Sequence, residues 1–76
     1  MDIGTKKLFQ KIFGKKITIN INSNMNNTYD WDSLMHIRIM SEIEKKFKKK
    51  LNINQVLELT STKKIDNFLR KNEKKF

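Results

Sequence analysis

The spacing of apolar residues near the start of the chain predicts a short amphipathic helix. These residues recur at intervals of one, three and four positions: Leu8, Phe9, Ile12 and Phe13. This spacing places them on one side of a helix from about Thr5 to Phe13, within a first helical region of residues 1–16. Thr5 is a suitable N-cap residue, and Gly14 stands where a glycine commonly ends a helix.

A long helix is predicted from about Ser33 to Lys50. At about 100° per residue its apolar positions share one broad face: Leu34, Ile37, Met40, Ile43, Phe47 and Leu51. Charged residues occupy the opposite face: Arg38, Glu42, Lys45, Lys46 and Lys49. Asp32 is a favourable N-cap residue for this helix. His36 and Glu44 fall at the edge of the apolar face, so we expect both at the rim of the core.

Two shorter helices follow the long one. An apolar group predicts the first of them, over residues 54–59: Val56, Leu57 and Leu59. Asn54 is placed to cap this helix, and the Thr-Ser-Thr sequence at residues 60–62 ends it and supplies the next N-cap. The last helix, over residues 61–71, has a helical apolar spacing: Ile65, Phe68 and Leu69. We expect the tail beyond it to fray, apart from a contact by Phe76.

The connection between the first two helices, residues 17–31, is unusually long. Isoleucine alternates with polar residues over residues 17–22, which is the period of a β-strand. Because the sequence offers no second strand to pair with it, we interpret this segment as an extended connection lying over the helices. Residues 22–27 predict a loop with Met25 as its apolar anchor. The fold class is therefore all-α: a small antiparallel bundle of three to four helices with a long first loop, in one domain of residues 1–76.

Composition and charge narrow the classes of function. The chain of 76 residues has a small core and no cysteine, so it forms neither a disulfide nor a thiolate site. Its apolar runs are too short for a membrane span or a signal peptide, and we expect a cytoplasmic protein. The net charge of +9 suits a partner such as nucleic acid or an anionic membrane. The abundance of Lys, Asn and Ile is also typical of coding sequence rich in A and T, and we favour this explanation of much of the charge.

Two binding functions are compatible with this charge. A basic helical module for nucleic acid is disfavoured, because the basic residues are scattered over all elements and most aromatic residues fall at predicted core positions instead of being interleaved for stacking. Trp31 either packs between the loop and the helices or stacks on a base. The segment from Gly4 to Lys16 would suit the surface of an anionic membrane, but we favour its packing on the long helix, because the core is otherwise too small.

The run Tyr-Asp-Trp-Asp-Ser-Leu at residues 29–34 carries the main functional signal. Ser33 opens the long helix, where its hydroxyl is either an ordinary first-turn polar group or the attachment point of a prosthetic arm. The sequence offers no metal-ligand cluster, no glycine-rich phosphate loop and no nucleophile-base-acid set. His36 has no acidic or cysteine partner at ligand spacing, so we do not expect a metal ligand there.

Several blocks of the chain resemble the acyl carrier protein family. They are Trp-Asp-Ser-Leu at residues 31–34, Ile-Glu-Lys-Lys-Phe at residues 43–47, Leu51, and Leu-Thr-Ser-Thr at residues 59–62. The resemblance extends from Met25 to Leu69 and is shared with the peptidyl carrier domains of non-ribosomal synthetases. Asp-Ser-Leu alone is a common tripeptide, and the spacing between the blocks makes the resemblance specific.

The resemblance implies a carrier that catalyses nothing itself. A phosphopantetheinyl transferase would join 4'-phosphopantetheine from coenzyme A to Ser33, and the thiol of the arm would hold an acyl or aminoacyl group as a thioester. Asp32 would belong to the surface that the transferase reads, and Leu34 would be either a core residue or a docking contact. The other implied partners are enzymes that load and accept the cargo. We expect a monomer that binds no nucleic acid and does not insert stably into membranes.

The surface after Ser33 departs from the family pattern. In carriers of fatty-acid synthesis, the second helix is strongly acidic and docks on basic patches of partner enzymes. The residues at the corresponding surface here are Met35, His36, Arg38, Lys45 and Lys46. Because like charges across an interface are costly, we predict a specialised carrier with dedicated partners rather than one served by ordinary fatty-acid enzymes.

Overall fold

The computed structural model describes residues 1–14 and 19–73. Four α-helices form this part of the chain: α1 (Ile3–Phe13), α2 (Ser33–Phe47), α3 (Ile53–Glu58) and α4 (Thr62–Glu73). Within the described ranges there is no β-strand, only an isolated antiparallel bridge between Asn24 and Ser61. The predicted small all-α bundle is therefore confirmed. No helix among these four is long and apolar enough to cross a membrane.

The core lies where α1 packs against α2 and α4. Its buried apolar residues are Leu8, Phe9, Phe13, Trp31, Ile39, Met40, Ile43, Leu59, Ile65 and Leu69. The apolar side of α1 is part of this cluster, as its helical spacing predicted. Burying side chains of this size is the main stabilising contribution available to so small a chain.

The buried face of α2 differs from the predicted face. Ile39 is fully buried, whereas Leu34 and Ile37 are 68% and 60% exposed. The residues that α2 buries are His36, Ile39, Met40 and Ile43. Their spacing of three, four and seven positions is a regular helical stripe. Because Ile37 and Ile39 are about 200° apart around the helix, only one of them can face the core.

The start of α1 is held by a residue of α4. Asp2, not Thr5 as predicted, precedes the helix. Thr5 is fully buried and donates from its hydroxyl to Asp66 Oδ1 at 2.7 Å, and the Asp2 N–H donates to the same oxygen at 2.9 Å. Arg70 pairs with the other Asp66 oxygen at 3.2 Å. At its other end, α1 stops at Gly14 with a φ of 76°, as predicted.

The end of α2 comes earlier than the sequence predicted. The helix stops at Phe47, and Lys48 takes a left-handed conformation with φ 53° and ψ 41°. Glu44 is half-buried, and its Oε2 accepts the N–H of Leu51 at 2.8 Å. This hydrogen bond fixes the turn that leads into α3.

Local side-chain caps define α3 and α4. Asn52, rather than the predicted Asn54, caps α3 and forms a capping box with Gln55. The sequence allowed both asparagines, and only Asn52 has a Gln three residues later. Ser61 accepts the N–H of Lys64 at 3.2 Å, which confirms the predicted capping role of the Thr-Ser-Thr segment.

The described part of the first connection is irregular, in agreement with the absence of a pairing strand. Ile19 is half-buried against the core, while Ile17 lies outside the described residues, as does the predicted contact of Phe76. Met25 also packs against the core, as predicted, and its N–H donates to the Thr60 carbonyl at 2.9 Å. The connection is thus attached to the segment that precedes α4.

Candidate functional site

Ser33 is the first residue of α2, and its side chain is exposed. The preceding residue, Asp32, has an extended backbone, and its Oδ1 accepts the N–H of Met35 at 2.9 Å. The carbonyl of Asp32 accepts the N–H of His36 at 2.9 Å. The predicted capping role of Asp32 is therefore confirmed, and the cap fixes the first turn that presents Ser33.

Two donors remain available beside the Ser33 hydroxyl. Among the described residues, no acceptor pairs with the backbone N–H groups of Ser33 and Leu34. These groups and the helix dipole give the start of α2 a partial positive charge. An exposed hydroxyl next to unpaired donors fits a covalently attached phosphate, because the donors can bind its oxygens.

Trp31 anchors the chain immediately before the site. It is 1% exposed, and its ring centroid lies 5.5 Å from that of Phe9 and 6.2 Å from that of Phe13. Its N–H closes a turn by donating to the Thr28 carbonyl at 3.0 Å. Trp31 therefore packs between the loop and the helices, which was the first of its two predicted roles, and its buried ring cannot stack on a base.

His36 connects Trp31 to α3. The indole Nε1–H donates to His36 Nδ1 at 3.2 Å, and His36 Nε2 lies 2.7 Å from the Val56 carbonyl. An indole N–H only donates and a carbonyl only accepts, so the two bonds together require the tautomer with hydrogen on Nε2. The side chain is 7% exposed. This burial contradicts the predicted place of His36 on the docking surface. His36 positions the site from inside and belongs to the same buried helical stripe as Ile39, Met40 and Ile43.

The exposed face of α2 next to the site is apolar. Leu34 and Ile37 are neighbours on the helix surface, three residues apart and both largely exposed. Arg38 is exposed beside them, and its Nη1 lies 4.0 Å from the sulfur of the half-buried Met35. A partner that approaches Ser33 along α2 therefore meets two aliphatic side chains and one guanidinium.

The predicted basic residues Lys45 and Lys46 lie apart from this apolar face. Both are exposed, and Lys45 is about 18 Å from Ser33 along the helix axis. Glu42 lies between, paired with Lys11 of α1 at 3.0 Å and with Lys45 at 3.8 Å. The hydrogen bond from Lys11, with smaller contributions from the charges of both lysines, lowers the pKa of Glu42. The charge of Lys45 is thus partly compensated within the fold.

Access to Ser33 from solvent is open on its loop side. A wide cleft of about 610 Å³ lies between residues 25–29 and the start of α2, with Asp32 and Ser33 on its wall. Tyr29, at the rim of this cleft, is 97% exposed. An enzyme active site can therefore reach the Ser33 hydroxyl from this side without displacing a core residue.

A more enclosed cavity of about 250 Å³ lies at the opposite end of α2. Its apolar walls are Ile43, Phe47, Leu51 and Phe68. The rings of Phe47 and Phe68 meet edge to face with centroids 6.3 Å apart. Lys49 and Lys50 also line it. The cavity is a suitable environment for a short aliphatic chain.

Comparison of the chain with models of known protein families identifies its family. A family model described as a phosphopantetheine attachment site matches residues 5–69, which include Ser33 and span from the first turn of α1 into α4. A search of curated proteins found no match.

Proposed function

Since this chain belongs to the phosphopantetheine-attachment family, whose members carry covalent 4'-phosphopantetheine, we propose that it tethers acyl or aminoacyl groups on an arm attached to Ser33. The observation that supports this site is the exposed hydroxyl of Ser33 at the capped, donor-rich start of α2. When bound, the arm supplies a thiol that holds the cargo as a thioester. The chain itself performs no catalysis in this proposal.

The residues around Ser33 would present its hydroxyl rather than activate it. No described side chain forms a hydrogen bond with Ser33 Oγ, and the Asp32 carboxylate is engaged with the Met35 N–H. The phosphopantetheinyl transferase must therefore supply the base that removes the hydroxyl proton. The free N–H groups of Ser33 and Leu34 would then bind the phosphate oxygens, with support from the helix dipole.

We propose that partner enzymes dock on the apolar face of α2. Leu34 and Ile37 supply its aliphatic contacts, and Arg38 with Met35 borders them. A matching partner has an apolar depression with an acidic group at its edge, because charge complementarity favours association. Lys45 and Lys46 would add a second, more distant contact for an acidic region of the same partner.

The cavity at the far end of α2 suggests the kind of cargo. At roughly 30 Å³ per water-sized group, it holds about eight such groups. Its apolar walls come from α2, α4 and the α2–α3 connection and suit an aliphatic chain, while Lys49, Lys50, Gln55 and Asn72 complete the lining. We therefore propose an acyl group of short or medium length as cargo.

The structure around α1 does not favour the alternative function, which is binding of nucleic acid or of a membrane surface by a basic helical module. The aromatic residues Phe9 and Phe13 are buried in the core together with Leu8. Among the described aromatic residues, only Tyr29 is largely exposed, which leaves no series of rings for stacking on bases. The apolar side of α1 is likewise already packed and is not free to face a membrane.

The proposed site can be tested by loading the protein in vitro. The full-length chain is incubated with coenzyme A and several transferases, including the one from its own source, and its intact mass is measured. The wild type is expected to gain one phosphopantetheinyl group and Ser33→Ala none. Ser41→Ala is the matched control, since Ser41 is exposed on the same helix, and it should load like the wild type. Loading of Ser33→Ala, or no loading of the wild type by any transferase, would reject the proposal.

A further inference from the structure

Three lysines of the α2–α3 connection have charges that the fold does not use. Lys48, Lys49 and Lys50 are exposed, and none has a carboxylate within salt-bridge distance in the described part of the chain. The nearby Glu44 directs its Oε2 to the N–H of Leu51 instead. Adjacent like charges repel each other, and an anionic partner would relieve that repulsion.

The next element adds apolar side chains to this exposed region. Helix α3 contributes no buried residue, and Ile53 and Leu57, one turn apart on it, are 68% and 66% exposed. Ile53 follows Lys50 by three residues, so their Cα atoms are at most about 11 Å apart. The three lysines and the two exposed aliphatic residues of α3 are thus close in the chain and form an exposed surface of mixed character, which we call the loop surface: residues 48–50, Ile53 and Leu57.

We propose that the loop surface binds anionic lipid bilayers peripherally. Lysine has a long apolar stem and a strongly hydrated charge, and it can lie along the headgroups while aliphatic neighbours enter the acyl boundary. Attraction to an anionic leaflet adds a contribution from each lysine near the surface. This chemistry requires no directional hydrogen bonds, and the lysines, Ile53 and Leu57 supply the charge and the apolar area that it needs.

The composition of the loop surface favours lipid over other anionic partners. Protein interfaces are rich in Tyr, Trp and Arg and poor in Lys, and none of the three enriched types belongs to this surface. Binding of single-stranded nucleic acid would need exposed aromatic rings for stacking, which this surface also lacks. The lysines lie at the opposite end of α2 from Ser33, about 22 Å along its axis, so bilayer contact through them would leave the Ser33 hydroxyl accessible.

The lysine contribution is tested by co-sedimentation of the full-length protein with vesicles. One set contains equal parts of phosphatidylglycerol and phosphatidylcholine, and the other only phosphatidylcholine. The test variant is Lys48→Asn, Lys49→Gln, Lys50→Gln, with Asn at position 48 because it tolerates the left-handed backbone. The matched control replaces the exposed Lys6, Lys7 and Lys63 by Gln and has the same net charge.

The wild type is expected to bind the anionic vesicles and not the neutral ones. The test variant should lose affinity on the order of 100-fold, since about fivefold per lysine follows from its headgroup attraction, and the control should lose only a few fold. Equal losses for both variants would overturn the proposal, because total charge alone would then explain binding. Absence of wild-type binding to anionic vesicles would also overturn it, and retention on polyglutamate in that case would indicate an acidic protein partner instead.

The apolar contribution is tested by replacing Ile53 and Leu57 with Ser. This variant should bind anionic vesicles at least tenfold more weakly, and the difference should persist at high salt, where charge attraction is screened. Ile3→Ser, which removes a similarly exposed isoleucine (70%) from α1, is the control and should bind like the wild type. Unchanged binding of the Ile53 and Leu57 variant would overturn the proposed insertion. Circular dichroism and loading at Ser33 verify that each variant is folded, and they are independent of lipid binding.

Discussion

At the scale of single residues, the candidate site is one exposed hydroxyl held between buried or engaged neighbours. Of the two residues that precede Ser33, Trp31 is almost fully buried and Asp32 caps α2. His36 joins the indole to the Val56 carbonyl, so the start of α2 is attached to α1 and α3 as well as to its own loop. The position of the exposed Ser33 thus depends on the packing of its buried neighbours Trp31 and His36 rather than on contacts of its own.

A buried carboxylate is the other residue on which the fold depends. Burial of Asp66 tends to raise the pKa of its carboxyl, but hydrogen bonds from Thr5 and Asp2, with the charge of Arg70, lower it below its usual 3.8. A lowered folded-state pKa means that the anion stabilises the fold. This contribution is complete above the unfolded value and is lost as the pH falls through the folded-state value.

Replacement of Asp66 by Asn should therefore destabilise the protein at neutral pH. We expect a loss of about 1–3 kcal/mol in the free energy of unfolding, because charged hydrogen bonds at a buried group are lost. Urea unfolding at several pH values measures it, and the variant should also show a weaker loss of stability in acid than the wild type. Glu58→Gln, at an exposed position, is the control. An acid profile identical to that of the wild type would contradict this account.

At the scale of the helices, the sequence predicted those features that depend on interactions between residues close together in the chain. Helix number, the cap at Asp32 and the stop at Gly14 all depend on residues a few positions apart. The cap of α1 could not be predicted in this way, since Asp66 is 61 residues from Thr5 in the sequence. The inward position of His36 likewise depends on packing against the Trp31 ring and α3.

Among the helices, the largest difference from the sequence prediction is which face of α2 is buried. Isoleucine stands at both position 37 and position 39, which lie on nearly opposite sides of the helix. The sequence alone therefore permits either side of α2 to face the core. Packing of α1 and Trp31 selects the face that contains Ile39. That choice has a functional consequence, because it leaves Leu34 and Ile37 exposed beside Ser33.

This orientation of α2 predicts a large effect on stability for one isoleucine substitution and almost none for a similar one two residues away. Ile39→Ala should lower the free energy of unfolding by about 2–5 kcal/mol, because it removes fully buried atoms and leaves a cavity. Ile37→Ala should change it by less than about 0.5 kcal/mol, as is usual for an exposed site. Denaturant unfolding measures both. A larger loss for Ile37→Ala than for Ile39→Ala would show that the other face of α2 is buried.

At the scale of the whole molecule, the net charge of +9 is distributed unevenly. The exposed α2 residues nearest Ser33 are mostly apolar, and Arg38 is the first cation after it. A dense group of lysines lies instead at the end of α2 and in the connection to α3. The single basic docking face expected from the sequence is therefore two surfaces with different chemistry.

This charge distribution predicts that ordinary fatty-acid enzymes elongate acyl chains on this protein slowly. Such enzymes present basic patches to acidic carriers, and a like charge at Arg38 and Lys45 is unfavourable at that interface. Acyl chains on the loaded protein should be elongated slowly, and Arg38→Glu with Lys45→Glu should increase the rate at least tenfold. A reconstituted elongation assay measures both. Efficient elongation on the wild type would contradict the prediction of dedicated partners.

Whether Ser33 bears the arm can be measured on protein isolated from the cells that produce it. Intact and fragment masses locate any modification along the chain. We expect one phosphopantetheinyl group on Ser33 and none on the exposed Ser41 of the same helix. A phosphopantetheinyl group on another residue, or an unmodified Ser33 in cells whose transferase is active, would contradict this expectation.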